Sequence, residues 1–171
     1  MQSTVMVKAG RREVMGIFVD PFKLTGIINH INILQVYDEN NNKYVTLDKV
    51  EKFPKKFRVL YIFGTPDTKL ITFPGYMEGP QIIPSGVKYT GNSDDETFYW
   101  TLEIFVKERQ EGSEIFFNMN SIYKPSFTQK ILGKEVKMLK DFSFVEHVLS
   151  AHILPYFKFY GYISDEGISE Q

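Results

Sequence analysis

The sequence predicts an α+β domain built on an antiparallel sheet, and three observations carry that expectation. Aromatic residues make up 15% of the 171 residues, while Ala occurs only at Ala9 and Ala151. Aromatic side chains suit a pleated, half-buried surface, whereas Ala is the strongest helix former. Apolar residues alternate in runs from Ile33 to Tyr123 with turn residues between them, and a helical period appears only near the N-terminus and again after Pro125.

In order along the chain, Ser3 to Ala9 places Val5, Val7 and Ala9 on one side and reads as a strand that Gly10 ends. Arg11 to Val19 has the apolar spacing of a short helix closed by Asp20-Pro21. A second short helix is expected from Pro21 to His30, with Pro at its first position and Leu24, Ile27 and Ile28 inward. Ile33 to Tyr37 and Lys43 to Val50 form a hairpin around the polar turn Asp38 to Asn42. Lys56 to Phe63 is a strongly apolar strand, turned back by Gly64-Thr65-Pro66-Asp67 into Lys69 to Phe73.

Pro74 to Pro84 holds three Pro and two Gly, which predicts a loop or irregular edge, with Tyr76, Met77, Ile82 and Ile83 available to close over an interior as a lid. Gly86 to Gly91 is a short strand and Asn92 to Glu96 a polar turn. Two long strands follow, Thr97 to Lys107 and Ser113 to Tyr123, joined through Glu108 to Gly112. Phe98, Trp100, Leu102, Ile104 and Val106 mark the inner face of the first, and Ile115, Phe117 and Met119 that of the second. A weak helical pattern over Ser126 to Leu139 precedes a strong one over Phe142 to Phe159, whose stripe is Val145, Val148, Leu149, His152, Ile153 and Tyr156. Pro155 should bend or shorten this last helix. A single domain over residues 1–160 and a frayed polar tail over 161–171 are expected.

Composition excludes several functions. Twenty Lys and Arg against 21 Asp and Glu leave a net charge of −1, which offers no basic surface for nucleic acid. With no Cys, disulfides, thiolate metal sites and cysteine nucleophiles are absent. No apolar run approaches the roughly 18 to 20 residues that cross a bilayer, and no signal peptide opens the chain, so a soluble cytoplasmic protein is expected. Neither a Walker pattern, a dinucleotide fingerprint nor a Gly-x-Ser-x-Gly elbow occurs, and no cofactor is expected. His30, His147 and His152 are the only His; on an α-helix the last two point about 140° apart, which predicts no zinc pair and no metal site. Asp94-Asp95-Glu96 reads as a solvated turn.

The segment Val5 to Leu24, Val-Met-Val-Lys-Ala-Gly-Arg-Arg-Glu-Val-Met-Gly-Ile-Phe-Val-Asp-Pro-Phe-Lys-Leu, resembles the first strand, the helix opening on a Glu-Val pair and the Asp-Pro-x-x-Leu link of the helix-grip superfamily. START lipid-transfer domains and the birch-pollen allergen family share that fold. The order of elements is also similar: a strand, two short helices, further antiparallel strands and a long C-terminal helix. More narrowly, the chain looks like a small helix-grip family of thermoacidophilic archaea for which fatty-acid carriage has been proposed. The resemblance implies a curved sheet wrapped around the last helix, and an apolar cavity between them that carries a long-chain fatty acid or similar lipid without catalysis.

Under that implication Trp100, Leu102, Ile104, Ile115, Phe117, Met119, Leu149 and Tyr156 would line the cavity, although the same residues equally describe a closed core. Arg58 shares a face with Leu60 and Ile62 and would hold the carboxylate, or else be a strand Arg reaching water. His152, on the inward stripe, would donate to the ligand or be a satisfied core His. A cyclase- or hydratase-type enzyme acting on a hydrophobic substrate, and a partner-binding regulatory module, are the alternatives.

Overall fold

The computed structural model describes residues 1–49, 53–64, 70–140 and 143–163. Eight strands, β1 (Gln2–Val7), β2 (Ile31–Asp38), β3 (Lys43–Val45), β4 (Lys56–Phe63), β5 (Ile71–Ile83), β6 (Gly86–Ser93), β7 (Phe98–Arg109) and β8 (Gly112–Tyr123), form one antiparallel sheet in the order β1-β8-β7-β6-β5-β4-β2-β3. Two short helices, α1 (Arg11–Phe18) and α2 (Pro21–Ile28), follow the first strand as expected. A short helix α3 (Phe127–Ile131), capped by Ser126 and Gln129, is all that the weak pattern after Pro125 yields before a single 3₁₀ turn. The C-terminal helix comprises an α-helical segment α4 (Ser143–His147), a π-helical segment (Val148–Ile153) and a second α-helical segment α5 (Leu154–Phe159).

Local chemistry explains where α2 starts and stops, and this places the first residue of the site. Asp20 accepts hydrogen bonds from the amides of Phe22 (2.9 Å) and Lys23 (3.3 Å), and Pro21 takes the first helical position, where a missing N–H costs nothing. Asn29 ends the helix in the left-handed conformation (φ 58°), a residue type that tolerates it. The chain then turns sharply, so that His30 faces the end of β4, and the Ile62 amide donates to the His30 carbonyl at 3.0 Å.

The predicted inner faces are those of the structure: Phe98, Trp100, Leu102, Ile104 and Val106 on β7, and Ile115, Phe117 and Met119 on β8, are buried. The C-terminal helix packs on this face. Phe144 meets Phe63 and Phe98 edge to face at 5.6 and 5.4 Å, and Phe157 reaches Phe18 of α1 at 6.0 Å. Each fully buried ring of this kind contributes about 1.5–3 kcal/mol relative to exposure. Buried phenols are satisfied: Trp100 Nε1 donates to the Tyr61 hydroxyl (3.0 Å), which donates to the Tyr76 carbonyl (2.7 Å), and the Tyr89 hydroxyl donates to the Phe18 carbonyl (2.6 Å). Burial pushes both phenol pKa values far up, which keeps them neutral.

Two sequence expectations are corrected. Pro74 to Pro84 is neither loop nor lid but most of β5, a 13-residue strand between β4 and β6. Its period of two was hidden because Gly75 and Gly79 occupy inner positions beside Phe73 and Met77. A Cβ at Gly75 would press on the Tyr61 ring, and one at Gly79 on the Tyr89 ring, so the glycines make room for large neighbours rather than mark a turn. The prolines are tolerated because pairing with β6 begins only at Gly75 and shifts register between Glu78 and Gln81. The start of the tail is also not frayed. The Lys8 amide donates to the Tyr162 carbonyl (2.8 Å), and the Tyr162 hydroxyl donates to Glu13 (2.7 Å). The expected turn around Thr65 to Asp67 and the tail from 164 onward lie outside the described residues. Among the described residues no helix is long and apolar enough to cross a membrane.

Candidate metal centre

Of the residues expected to line a cavity, Trp100, Leu102, Ile104, Ile115, Phe117 and Met119 have no accessible surface, and Leu149 retains 4%. A space large enough for water would leave measurable surface on its walls, so these side chains are packed on one another as core. Tyr156 stands half-buried on the helix, tilted against Tyr160 at 4.7 Å. Arg58 lies on the opposite face of β4 from Phe57, Val59, Tyr61 and Phe63. Its guanidinium holds Asp94 through two hydrogen bonds of 2.6 and 2.8 Å, donates to the Gly75 carbonyl and covers the Tyr76 ring at 4.3 Å. Three of its donors are thus engaged by Asp94 and Gly75 on that face.

His152 does meet other polar groups, and they are the other two His of the chain. His147 Nε2 lies 3.0 Å from His30 Nε2 and 3.0 Å from His152 Nε2, and the three imidazoles form a cluster whose ligand atoms all fall within 4.8 Å of one another. The expectation that His147 and His152 face apart fails for a local reason. The helix between them is π-helical, with the Leu154 amide donating to the Leu149 carbonyl five residues back. Five residues then complete about one turn, so His152 returns beneath His147. Pro155 supplies the cause: it lacks an N–H, and its ring crowds the carbonyl of Ala151, so a widened turn replaces the bend expected there. The Ser150 hydroxyl, bonded back to the Glu146 carbonyl at 2.7 Å, spans the same turn.

Outer contacts orient the rings. His30 Nδ1 donates to the Ile62 carbonyl at 2.8 Å, which fixes the proton on Nδ1 and leaves the Nε2 lone pair turned toward His147. Ile62 therefore grips His30 through both its amide and its carbonyl. The His30 ring stacks on Phe63 (5.5 Å, 15°) and meets the edge of Phe144 (6.1 Å). All three His are half-buried.

Burial, with the charge of His30, lowers the pKa of His147; burial, with the charges of His30 and His147, pushes that of His152 down to about 4. At neutral pH both rings are held unprotonated, the state in which imidazole binds metals. The linkage has a definite sign. An unfolded His titrates near 6.5, so as pH falls below that value the unfolded chain takes up protons first, and the stability present above about 6.5 is lost as pH falls toward 4. Urea midpoints of the metal-free protein should therefore fall between pH 7 and 4.5, and His152→Gln should flatten the upper part of that fall. Parallel profiles for the two proteins would contradict the assignment.

Three imidazole nitrogens converging with one at 3.0 Å from both others are not satisfied by hydrogen bonding alone. His147 Nε2 carries either one proton or one lone pair, so it can serve one neighbour as a well-directed donor or acceptor but not both. A zinc ion bound at about 2.0–2.1 Å by each nitrogen sets N···N near 3.3 Å in a tetrahedral site, so each close pair would open by about 0.3 Å from its 3.0 Å. Sequence reasoning missed this centre because it assumed 3.6 residues per turn. The legible signal was Pro155 three residues after the second His of the pair.

No family model matches the chain, and no curated protein matches it. Among solved structures it is similar to TTHA0849 from Thermus thermophilus, at 14% identity and a TM-score of 0.46 over 88% of this chain and 97% of that one. Likeness at that level carries no functional inference.

Proposed function

We propose that this chain binds a divalent transition-metal ion, zinc by the chemistry of its donors, at a centre made by His30, His147 and His152. The observation that carries the reading is the clustering of the three imidazoles, with His147 Nε2 3.0 Å from that of each neighbour and all three ligand atoms within 4.8 Å of one another. Neutral imidazoles suit zinc, copper or nickel and do not suit magnesium or calcium, which take oxygen ligands. Tetrahedral preference and the three-His set favour zinc. We further infer that the scaffold is a helix-grip fold, a reading supported by the order strand, two helices, antiparallel strands and C-terminal helix. The fatty-acid carrier implied by the resemblance has less support, since six of its eight expected wall residues have no accessible surface.

Zinc at about 100 times its Kd should stabilise the protein by about 2.7 kcal/mol, a rise of about 5–10 °C in Tm for a chain of this length. Calorimetry with and without zinc, reversed by a chelator, and metal analysis after dialysis read this directly. Magnesium should have no effect. A protein that retains no zinc on dialysis and whose Tm does not respond to it does not have this function.

A further inference from the structure

We propose that the metal at this centre keeps one coordination position for water and that the bound water hydrolyses small carboxylic esters. The inference rests on the metal-binding reading above and goes one step further, to the reaction.

The donor set is the first support. Among the described residues the ligand cluster contains three imidazoles and no carboxylate, and the whole chain has no Cys. A zinc ion so held keeps its full positive charge, the condition under which bound water ionises near neutrality. Sites with a purely structural role are closed by four protein ligands, commonly thiolates. Access is the second support. The three His are half-buried rather than enclosed, so part of each residue faces solvent. The third is the surroundings. The His30 ring lies on Phe63 and against Phe144, and this apolar floor strengthens the field of the ion at the reacting atom. The outer contact to the Ile62 carbonyl fixes one of the three ligands before any substrate arrives. The neighbours seen against the His30 ring, Phe63, Phe144 and the Ile62 carbonyl, carry no charge. They offer a neutral acyl group a better environment than an anionic phosphoryl group, which would need partner cations.

The bound water releases a proton to solvent, and its oxygen attacks the acyl carbon. The bond from that carbon to the alcohol oxygen breaks, and the leaving oxygen takes a proton from water unless it is stable as an anion. A second water displaces the carboxylate, so one ester and one water give one carboxylate, one alcohol and one proton.

The test uses the full chain, freed of metal and then given one equivalent of zinc, with 4-nitrophenyl acetate as probe. The cobalt-substituted protein is titrated with azide in parallel, because its visible spectrum reports an exchangeable ligand independently of turnover. The expected result is hydrolysis on the order of 10-fold or more faster than by the metal-free protein or by free zinc, together with a spectral change on azide addition. If one zinc binds but neither the rate nor the cobalt spectrum responds, the centre is closed and this proposal is overturned, with the metal-binding reading intact. If zinc does not bind, the metal-binding reading itself has failed, and the hydrolytic proposal falls with it.

Discussion

Replacing His147 with Ala is expected to remove zinc binding while leaving the metal-free protein folded. His147 is the shared member of the cluster: its Nε2 lies 3.0 Å from each of the other two. Its removal leaves two protein ligands, one fewer than the three that hold zinc in an open site. Loss of an outer partner of a metal ligand costs about 10–100-fold in affinity, so loss of this ligand should cost more than about 100-fold. The metal-free protein should change by no more than about 1 kcal/mol, because His147 is half-buried and its pKa is lowered, chiefly by burial; Ala removes a group that gains little from its position. Zinc titration by calorimetry measures the first effect and urea unfolding without metal the second. Unchanged zinc affinity in a folded His147→Ala protein would show that the triad is not the site.

Phe144→Ala is expected to cost about 3–5 kcal/mol, a substantial part of the stability of an ordinary domain. Phe144 is fully buried, and its ring is met by Phe63, Phe98 and His30 at 5.6, 5.4 and 6.1 Å. The contacts come from β4, β7 and the residue after α2, elements that do not rearrange together, so the vacated volume cannot close by one local shift. Urea denaturation gives the value, and a loss below about 1.5 kcal/mol would show that the helix does not seal this end of the sheet. The variant also removes the edge contact to His30, so zinc affinity measured on the folded fraction should fall as well.

Much of the fold was readable because strands with a buried face show it in their period. On β7 and β8 every large inner residue was named, and Lys56 to Phe63 coincides with β4. Reading failed where the side chain that marks a face was missing or where the period itself changed. Gly75 and Gly79 give β5 no apolar signal at two of its inner positions, and Pro74 and Pro80 add the signature of a loop. Phe144 and Phe157 were left out of the helical stripe, although both are buried, because the stripe was drawn with a constant turn. The sequence leaves the orientation of Arg58 open because both faces of β4 are apolar, and its partner Asp94 is 36 residues away. The His centre needed two long-range facts together: the widened turn before Pro155 and the placing of His30 by the Asn29 cap.

The 117 residues that separate His30 from His147 have a kinetic consequence. Contacts so distant in sequence form late, after the intervening sheet has brought α2 and the C-terminal helix together. During synthesis the centre cannot exist until residue 152 has left the ribosome, so an ion has no complete site to bind on the nascent chain. Metal should therefore leave the folding rate nearly unchanged and act on the reverse step, slowing unfolding by holding the last helix to the end of the second one.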